Sequence, residues 1–339
     1  MQKFPKVGIL CPIVANIPPD KYGPWELVCY NLSEELVKLG VDVTIFATKK
    51  AKTSAKLEYI FEKALSEYPV DTTNYTNLHI IDSLKKAKNF DIIHNNLNIS
   101  PVLFSELIDT PMVTTLHGAA SEKSNSEYYE YLKKSIFISL SLAERAFYPS
   151  LNYVDNIYNG VDFNRYSLKN GENLHFVFSG RVVKEKGILS AIEISKKTKI
   201  PLKIAGIITD QKFYDEFVAP EIDDKLIQFV GNLNNVELAK LLCDALALIH
   251  IAEWNDPCPL SVLDALASGL PVIGGTMGSL PELIYNENLG IIVKNAEEAV
   301  ERIHEIYAID PIICRETARK KFSREVMAKR YLENYVKLA

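Results

Sequence analysis

The sequence predicts two α/β domains in tandem, each built on a parallel sheet. Short apolar runs alternate with amphipathic stretches from end to end, the pattern of βαβ units. The series starts afresh after Asn152–Asn173, a stretch rich in Asn, Asp, Tyr and Gly that reads as a linker. A length of 339 residues also suits two domains.

Each element follows from its own stretch. Lys6–Pro12 (KVGILCP) reads as a first buried strand. Trp25–Leu39 carries Leu27, Val28, Leu32, Leu36 and Val37 at helical spacing, and Gly40 closes it. Val41–Ala47 is the next strand. Leu78–Ile81, Asp91–His94 and Met112–Leu116 read as further strands, with Tyr59–Leu65, Asp82–Lys88 and Val102–Ile108 as helices between. Ser135–Ser139 is a strand and Leu142–Phe147 a short helix. In the second half, strands are predicted at Leu174–Ser179, Leu202–Ala205, Ile227–Val230, Ala247–Ile251 and Val272–Gly274. Helices are predicted at Ile188–Lys197 and near Gln211–Val218. The final helix, Arg324–Val336, has a stripe of Met327, Tyr331, Leu332 and Tyr335 suited to packing back across the first domain.

Composition narrows the class. With 47% hydrophobic and 24% charged residues, the chain is an ordinary globular protein, neither disordered, collagen-like nor a disulfide-stapled mini-protein. Its 38 basic and 43 acidic residues give a net charge of −5, which argues against nucleic acid as a partner. The five cysteines (Cys11, Cys29, Cys243, Cys258, Cys314) form no CxxC pair, so neither a zinc knuckle nor a disulfide framework is expected. The apolar run near the N-terminus is too short and too soon broken by Pro for a signal peptide. No apolar stretch reaches the roughly 18 residues of a membrane span. A soluble cytoplasmic protein is expected, at most resting on the inner face of a membrane. Lys49–Lys63, lysine-rich and partly amphipathic, is either a point of contact with anionic lipid or a solvated helix face.

Ligands of parallel α/β domains bind at the carboxyl ends of the strands, and two such ends facing each other make a deep cleft. The first strand lacks a G-x-G-x-x-G. It opens instead into a loop ending Tyr22-Gly23-Pro24-Trp25-Glu26, where Gly23 either lets backbone approach a phosphate at the helix start or simply makes a turn. Gly180-Arg181 and Lys184-Glu185-Lys186-Gly187 follow the first strand of the second half. A guanidinium fork and an ammonium suit a diphosphate there; the alternative is a solvated basic loop. Asp256 and Asp264, eight apart, lie on a Pro-rich loop and about one turn into the helix that starts near Leu260. They either accept sugar hydroxyls, with free N–H groups at the helix start taking a phosphate, or serve as a helix cap and a surface charge. His117 ends a strand and is either functional or structural; His94 reads as structural or as a support for a residue nearer the ligand.

Taken in order, these stretches resemble the retaining GT-B glycosyltransferases of the family 4 group, which use nucleotide sugars. The carriers are Tyr22–Glu26 through Ala47, Thr114–Gly118, Ile138–Ser141, Ile157–Asp162, Ser179–Arg181 with Glu185–Gly187, Asp256 through Ile273, and Gly278–Glu282. The resemblance covers nearly the whole chain. It implies an α/β GT-B fold: two Rossmann-like parallel-sheet domains facing across a deep cleft. Residues 1–160 would be the acceptor-side domain and 161–319 the nucleotide-sugar donor domain, with a C-terminal helix at about 320–339 packing on the first. Arg181 and Lys186 would bind the donor diphosphate and offset the charge that grows on it. Asp264 would hold the ribose, and Asp256 the transferred sugar, with amides around Cys258, Leu260 and Ser261 on the distal phosphate. His117 would face the donor sugar, Gly23 would close over the phosphates, and Gly231 and Asn232 would lie near the base.

The resemblance further implies a hexosyl transfer to a glycan, lipid-linked glycan or small-molecule acceptor, as in surface polysaccharide or glycoconjugate biosynthesis, with no cofactor and no metal. Asn95–Asn98 and Ser121–Tyr128 are candidates for acceptor contact. The chain departs from the family's usual pattern in three places: Asp at both ends of the eight-residue spacing in place of Glu, Cys258-Pro259 in place of Phe-Gly, and Pro24 in place of a second Gly. These changes motivate two alternatives, a protein that binds a nucleotide sugar with little turnover, and a nucleotide-sugar epimerase on the same fold.

Overall fold

The computed structural model describes residues 4–68, 72–118, 131–171 and 175–339. In chain order its main elements are β1 (Val7–Leu10), α1 (Pro24–Lys38), β2 (Val43–Ala47), β3 (Lys56–Tyr59), α2 (Thr73–Lys85), β4 (Ile92–Asn95), β5 (Met112–Thr115), β6 (Ile136–Ser139) and β7 (Asn152–Asn156). There follow β8 (His175–Ser179), α3 (Ile188–Thr198), β9 (Leu202–Ala205), β10 (Ile227–Gly231), α4 (Asn235–Cys243), β11 (Ala245–His250), α5 (Leu260–Ala267), β12 (Val272–Gly274), β13 (Gly290–Ile292), α6 (Pro311–Phe322) and α7 (Arg324–Leu338). They form two compact units, Met1–Gly160 with Arg324–Ala339, and Val161–Ser323.

The first unit holds a seven-stranded parallel sheet in the order β3-β2-β1-β4-β5-β6-β7. β1 sits between β2 and β4, with Val7 opposite both Val43 and Ile92. Strands covered on both faces need apolar residues at successive positions, which is why VGIL in β1 is legible as a strand. α1 buries Leu27, Val28, Leu32 and Leu36, and it packs against α7.

Four stretches differ from the sequence expectations. Leu78–Ile81 lies inside α2 rather than in a strand: His79 and Ile80 are buried while Leu78 and Ile81 are exposed, a helical pattern that four residues are too few to reveal. Tyr59–Leu65 is not a helix; Tyr59 ends β3, an edge strand whose exposed KLEY sequence carries no burial signal. Lys49–Lys63 contains no helix and so presents no helix face; Lys49, Lys50 and Lys56 pair with Glu62, Glu67 and Asp42. Asn152–Asn156, expected in a linker, is the polar edge strand β7. Ser121–Tyr128 and Leu174 lie outside the described residues.

A buried polar chain holds α7 to the sheet. The Tyr335 hydroxyl is 2.7 Å from His94 Nδ1, His94 Nε2 is 2.9 Å from Thr115 Oγ1, and that hydroxyl is 2.9 Å from the Tyr331 hydroxyl. Arg324 pairs with Glu35 at 2.7 Å, and Asp155 takes Arg330 at 2.5 Å and Asn334 at 2.8 Å. Burial drives the His94 ring down to about 3, so it stays neutral and can donate with one nitrogen and accept with the other.

The second unit holds a six-stranded parallel sheet, β10-β9-β8-β11-β12-β13. Its core joins Phe176, Phe178, Ile204, Ile249 and Ile273 of the strands to Ile188, Ala191 and Ile192 of α3. Among the described residues no helix is long and apolar enough to cross a membrane.

Tyr335→Phe leaves a buried His94 nitrogen without a partner. It is expected to cost about 1–3 kcal/mol, read as a lower denaturation midpoint with an unchanged far-ultraviolet spectrum.

Candidate functional site

Strand order reverses beside the first strand of each sheet, between β1 and β4 and between β8 and β11. The loops at such a reversal diverge to opposite faces and leave a crevice beyond the strand ends. In the second unit these are the loops Gly180–Gly187 and Ile251–Pro259, which carry Arg181, Lys186, Asp256 and Cys258 of the residues singled out in the sequence.

Two glycines allow close backbone approaches here, Gly187 between these two loops and Gly206 beneath the first of them. Gly187 has φ +74°, and a Cβ there would lie 1.8 Å from the Ile251 carbonyl oxygen. A Cβ on Gly206, after β9, would lie 1.7 Å from the Gly180 carbonyl oxygen. The turn Lys184–Lys186 is thereby laid on the end of β11, and Glu253 N–H donates to the Glu185 carbonyl at 2.9 Å. From the other side, Gly278 (φ +60°) lies against the backbone of Asp256, and Ser279 N–H donates to the Asp256 carbonyl at 3.0 Å.

The result is a compact charge cluster. Lys186 Nζ donates to Asp256 Oδ2, and both side chains are largely buried, 13% and 6% exposed. His250 Nε2 stands 3.7 Å from the same oxygen. The Trp254 ring lies under both cations, 4.7 Å from Lys186 Nζ and 6.0 Å from the Arg181 guanidinium. Arg181 is the more open, with Glu185 at 3.7 Å. Burial by itself raises the Asp256 carboxyl, but His250 and Lys186 beside it bring it down to about 2. Burial depresses the His250 ring, against the pull of Asp256.

Asp264 is placed differently. α5 starts after Pro259 with no side-chain cap, so Asp256 is not a capping residue; Cys258 is buried just before it. Leu260 and Ser261 occupy the first helical positions, whose N–H groups lack intrahelical acceptors. Asp264 is a buried residue rather than a surface charge, and its Oδ1 accepts from the Tyr166 hydroxyl at 2.6 Å. Burial pushes its carboxyl up to about 6. Gly231 (φ +80°) ends the edge strand β10, two strands away from β8, with Asn232 after it. The structure therefore gathers Arg181, Lys186 and Asp256 into one cluster, and leaves Gly231 and Asn232 farther along the same sheet end.

Gly23 and His117 belong to the first unit. A Cβ on Gly23 would meet Pro19 Cβ at 2.7 Å, so the loop before α1 is closely folded there. His117 follows β5. Its N–H donates to Asn98 Oδ1 at 2.7 Å, and its Nε2 donates to Asn96 Oδ1 at 2.9 Å. Trp25 lies 5.8 Å from its ring, and burial lowers the imidazole to about 4, so it is neutral at pH 7. The sequence reading missed Trp254, His250 and Tyr166. The first two lie in or beside the recognised stretch, but nothing in their spacing distinguishes them from packing residues.

Parallel sheets with loop clusters of this kind define a Rossmann-like α/β class of protein, with a crevice at the strand reversal of the second unit bordered by Arg181, Lys186 and Asp256. The comparisons narrow it. Residues 162–324 match the family described as "Glycosyl transferases group 1", and residues 26–165 match "Glycosyltransferase Family 4". The chain belongs to the family 4 group of GT-B glycosyltransferases. It is 26% identical over 232 residues to a glycogen synthase of Mycobacterium tuberculosis, covering 59% of this chain and 56% of that one. The chain thus spans about half the length of the curated relatives it matches. In fold it is similar to AviGT4, a glycosyltransferase involved in avilamycin A biosynthesis (TM-score 0.74, 20% identity, 98% of each chain). It is also similar to Anabaena HepE, solved in complex with UDP-glucose (TM-score 0.73, 16% identity, 98% of this chain and 100% of that one).

The two carboxylates should separate in a stability profile. Asp264, raised in the folded state, favours folding fully below about pH 4 and loses that contribution as the pH rises through its folded value of about 6. Asp264→Asn, which still accepts from Tyr166, is expected to stabilise the protein above pH 6 by up to ~3 kcal/mol, with no gain in acid. Asp256, depressed in the folded state, stabilises above its unfolded range and loses this only as the pH falls through about 2. Asp256→Asn strands the Lys186 charge and is expected to cost about 3–5 kcal/mol at neutral pH. Urea titrations of both variants from pH 4 to pH 8 check the opposite signs.

Proposed function

We propose that the protein is a retaining glycosyltransferase that moves a hexosyl unit from a nucleoside diphosphate sugar to a glycan, lipid-linked glycan or small-molecule acceptor, in surface polysaccharide or glycoconjugate biosynthesis. The observation that carries this reading is the pair of cations, Arg181 and Lys186, over one indole at the strand reversal of the second unit. A diphosphate needs compensating charge most when the glycosidic bond breaks and negative charge collects on the leaving group. A guanidinium fork and an ammonium supply it without a metal ion. HepE, which has this fold, was solved with UDP-glucose bound.

The remaining roles follow from chemistry and position. Asp264 has one oxygen engaged by Tyr166, which leaves Oδ2 to accept from a ribose hydroxyl. Asp256, ionised at neutral pH, accepts from hydroxyls of the transferred sugar. The N–H groups of Leu260 and Ser261 at the start of α5, with the loop at Cys258, take the distal phosphate. Gly231 and Asn232 lie toward the base. From the first unit come Gly23, which admits phosphate close to the backbone, and His117, a neutral imidazole whose Nε2 proton is committed to Asn96. That commitment leaves Nδ1 as an acceptor for a sugar hydroxyl. Acceptor recognition is assigned to the first unit, including Asn95–Asn98.

The experiment is a panel of UDP-, GDP- and ADP-sugars, screened by thermal shift and then assayed with glycan and lipid-linked acceptors. Transfer with retained anomeric configuration is expected. Arg181→Ala should lower kcat/KM by about 10²–10³ with little change in melting temperature. Donor binding without transfer across the panel favours a binding protein instead, and conversion of donor without acceptor favours an epimerase.

A further inference from the structure

The donor reading gives His250 no task, yet its surroundings are unusual. The ring ends β11 and is 2% exposed. Its Nε2 is buried without a hydrogen-bond partner, and stands 3.7 Å from Asp256 Oδ2, longer than a hydrogen bond. The charged groups that act on it are Asp256, from the loop after β11, and Lys186, from the turn before α3. On its β12 side lie Gly274 and Gly275, which bring no side chain. Asp256 Oδ2 therefore stands between a cation it already holds and an imidazole it does not.

Binding of a diphosphate changes this balance. The phosphates compete for Lys186, the counter-ion of Asp256. If the ammonium moves to the phosphate, a carboxylate that is 6% exposed is left unpaired beside new negative charge, which is costly. Two groups can relieve it by taking a proton, and imidazole is intrinsically the more basic, at about 6.5 against about 3.9. We propose that His250 is a positioning residue that replaces Lys186 as the counter-ion of Asp256 when a nucleoside diphosphate binds, taking up one proton on Nε2 from solvent. Lys186 keeps its charge on the phosphate, His250 gains one positive charge, and no other bond forms or breaks. Asp256 is thereby kept ionised and oriented as an acceptor for the sugar while its first partner serves the leaving group. This inference rests on the donor reading given above.

In the ligand-free protein burial holds the ring neutral, because Lys186 already satisfies the carboxylate. Only loss of that pairing turns the nearby negative charge into a strong reason to protonate. The prediction is thus a proton uptake that appears on binding and is absent before it.

Titration calorimetry with UDP, GDP and ADP at about pH 8, where the phosphates are already ionised, in buffers of different ionisation enthalpy, counts the protons. The wild-type protein is expected to take up close to one proton per nucleotide. His250→Gln should bind with a weakened Kd and take up none. Because His250 is buried and the variant could unfold, the wild-type protein with ¹⁵N-labelled histidine gives a second readout: one of its six histidines should move to the imidazolium position on nucleotide addition. Binding with equal proton counts in both proteins, or with no histidine shift, overturns the role of His250 and leaves the donor reading intact. Failure of all three nucleotides to bind the wild-type protein overturns the donor reading and this inference with it.

Discussion

In each sheet the chain lays strands to one side of the first strand and then returns to build on the other. A parallel sheet made this way must send the two loops at the reversal to opposite faces, and nothing in the sheet fills the space between them. In the second unit the reversal falls between β8 and β11, and the loops leaving those strands carry Arg181, Lys186, Trp254 and Asp256. The candidate site depends on that reversal: two local pairs of side chains, Arg181 with Lys186 and Trp254 with Asp256, meet across a long stretch of chain because β8 and β11 are neighbours.

The approach of the loops is enforced by backbone rather than by charge. Gly187 lies against the Ile251 carbonyl, and Gly278 against the Asp256 backbone, at distances no side chain permits. Once the loops are fixed, Lys186 and Asp256 are buried together, and the ammonium helps to hold the carboxylate ionised. Asp264, eight residues on, meets burial with a single neutral donor in Tyr166. Two buried carboxylates of one type are thus shifted in opposite directions, Asp264 raised by burial and Asp256 lowered by His250 and Lys186 beside it.

The histidines show the same dependence on surroundings. His94 has both nitrogens hydrogen-bonded and acts as a structural pin between the sheet of the first unit and α7. His117 is held by two asparagines on a loop at a strand end. His250 is as deeply buried as His94, yet its Nε2 is unpartnered beside a carboxylate. The position of an imidazole at the end of an apolar strand is common to all three, so position alone does not assign a role.

The sequence by itself determined the class of fold and pointed to the candidate residues. Buried parallel strands must be apolar at successive positions and their helices amphipathic, and that alternation is written locally. The glycines, the basic turn and the paired aspartates are also local features. The edge strands β3 and β7 escaped notice because KLEY and NYVDN bury too little to leave a hydrophobic signal, β13 because three residues are too few, and LHII is too short to separate strand from helix. Only the tertiary structure decided which polar groups share a partner. Trp254 beneath two cations and Tyr166 on Asp264 are contacts across many residues of chain, and even the six-residue approach of His250 to Asp256 depends on how the loop after β11 folds back.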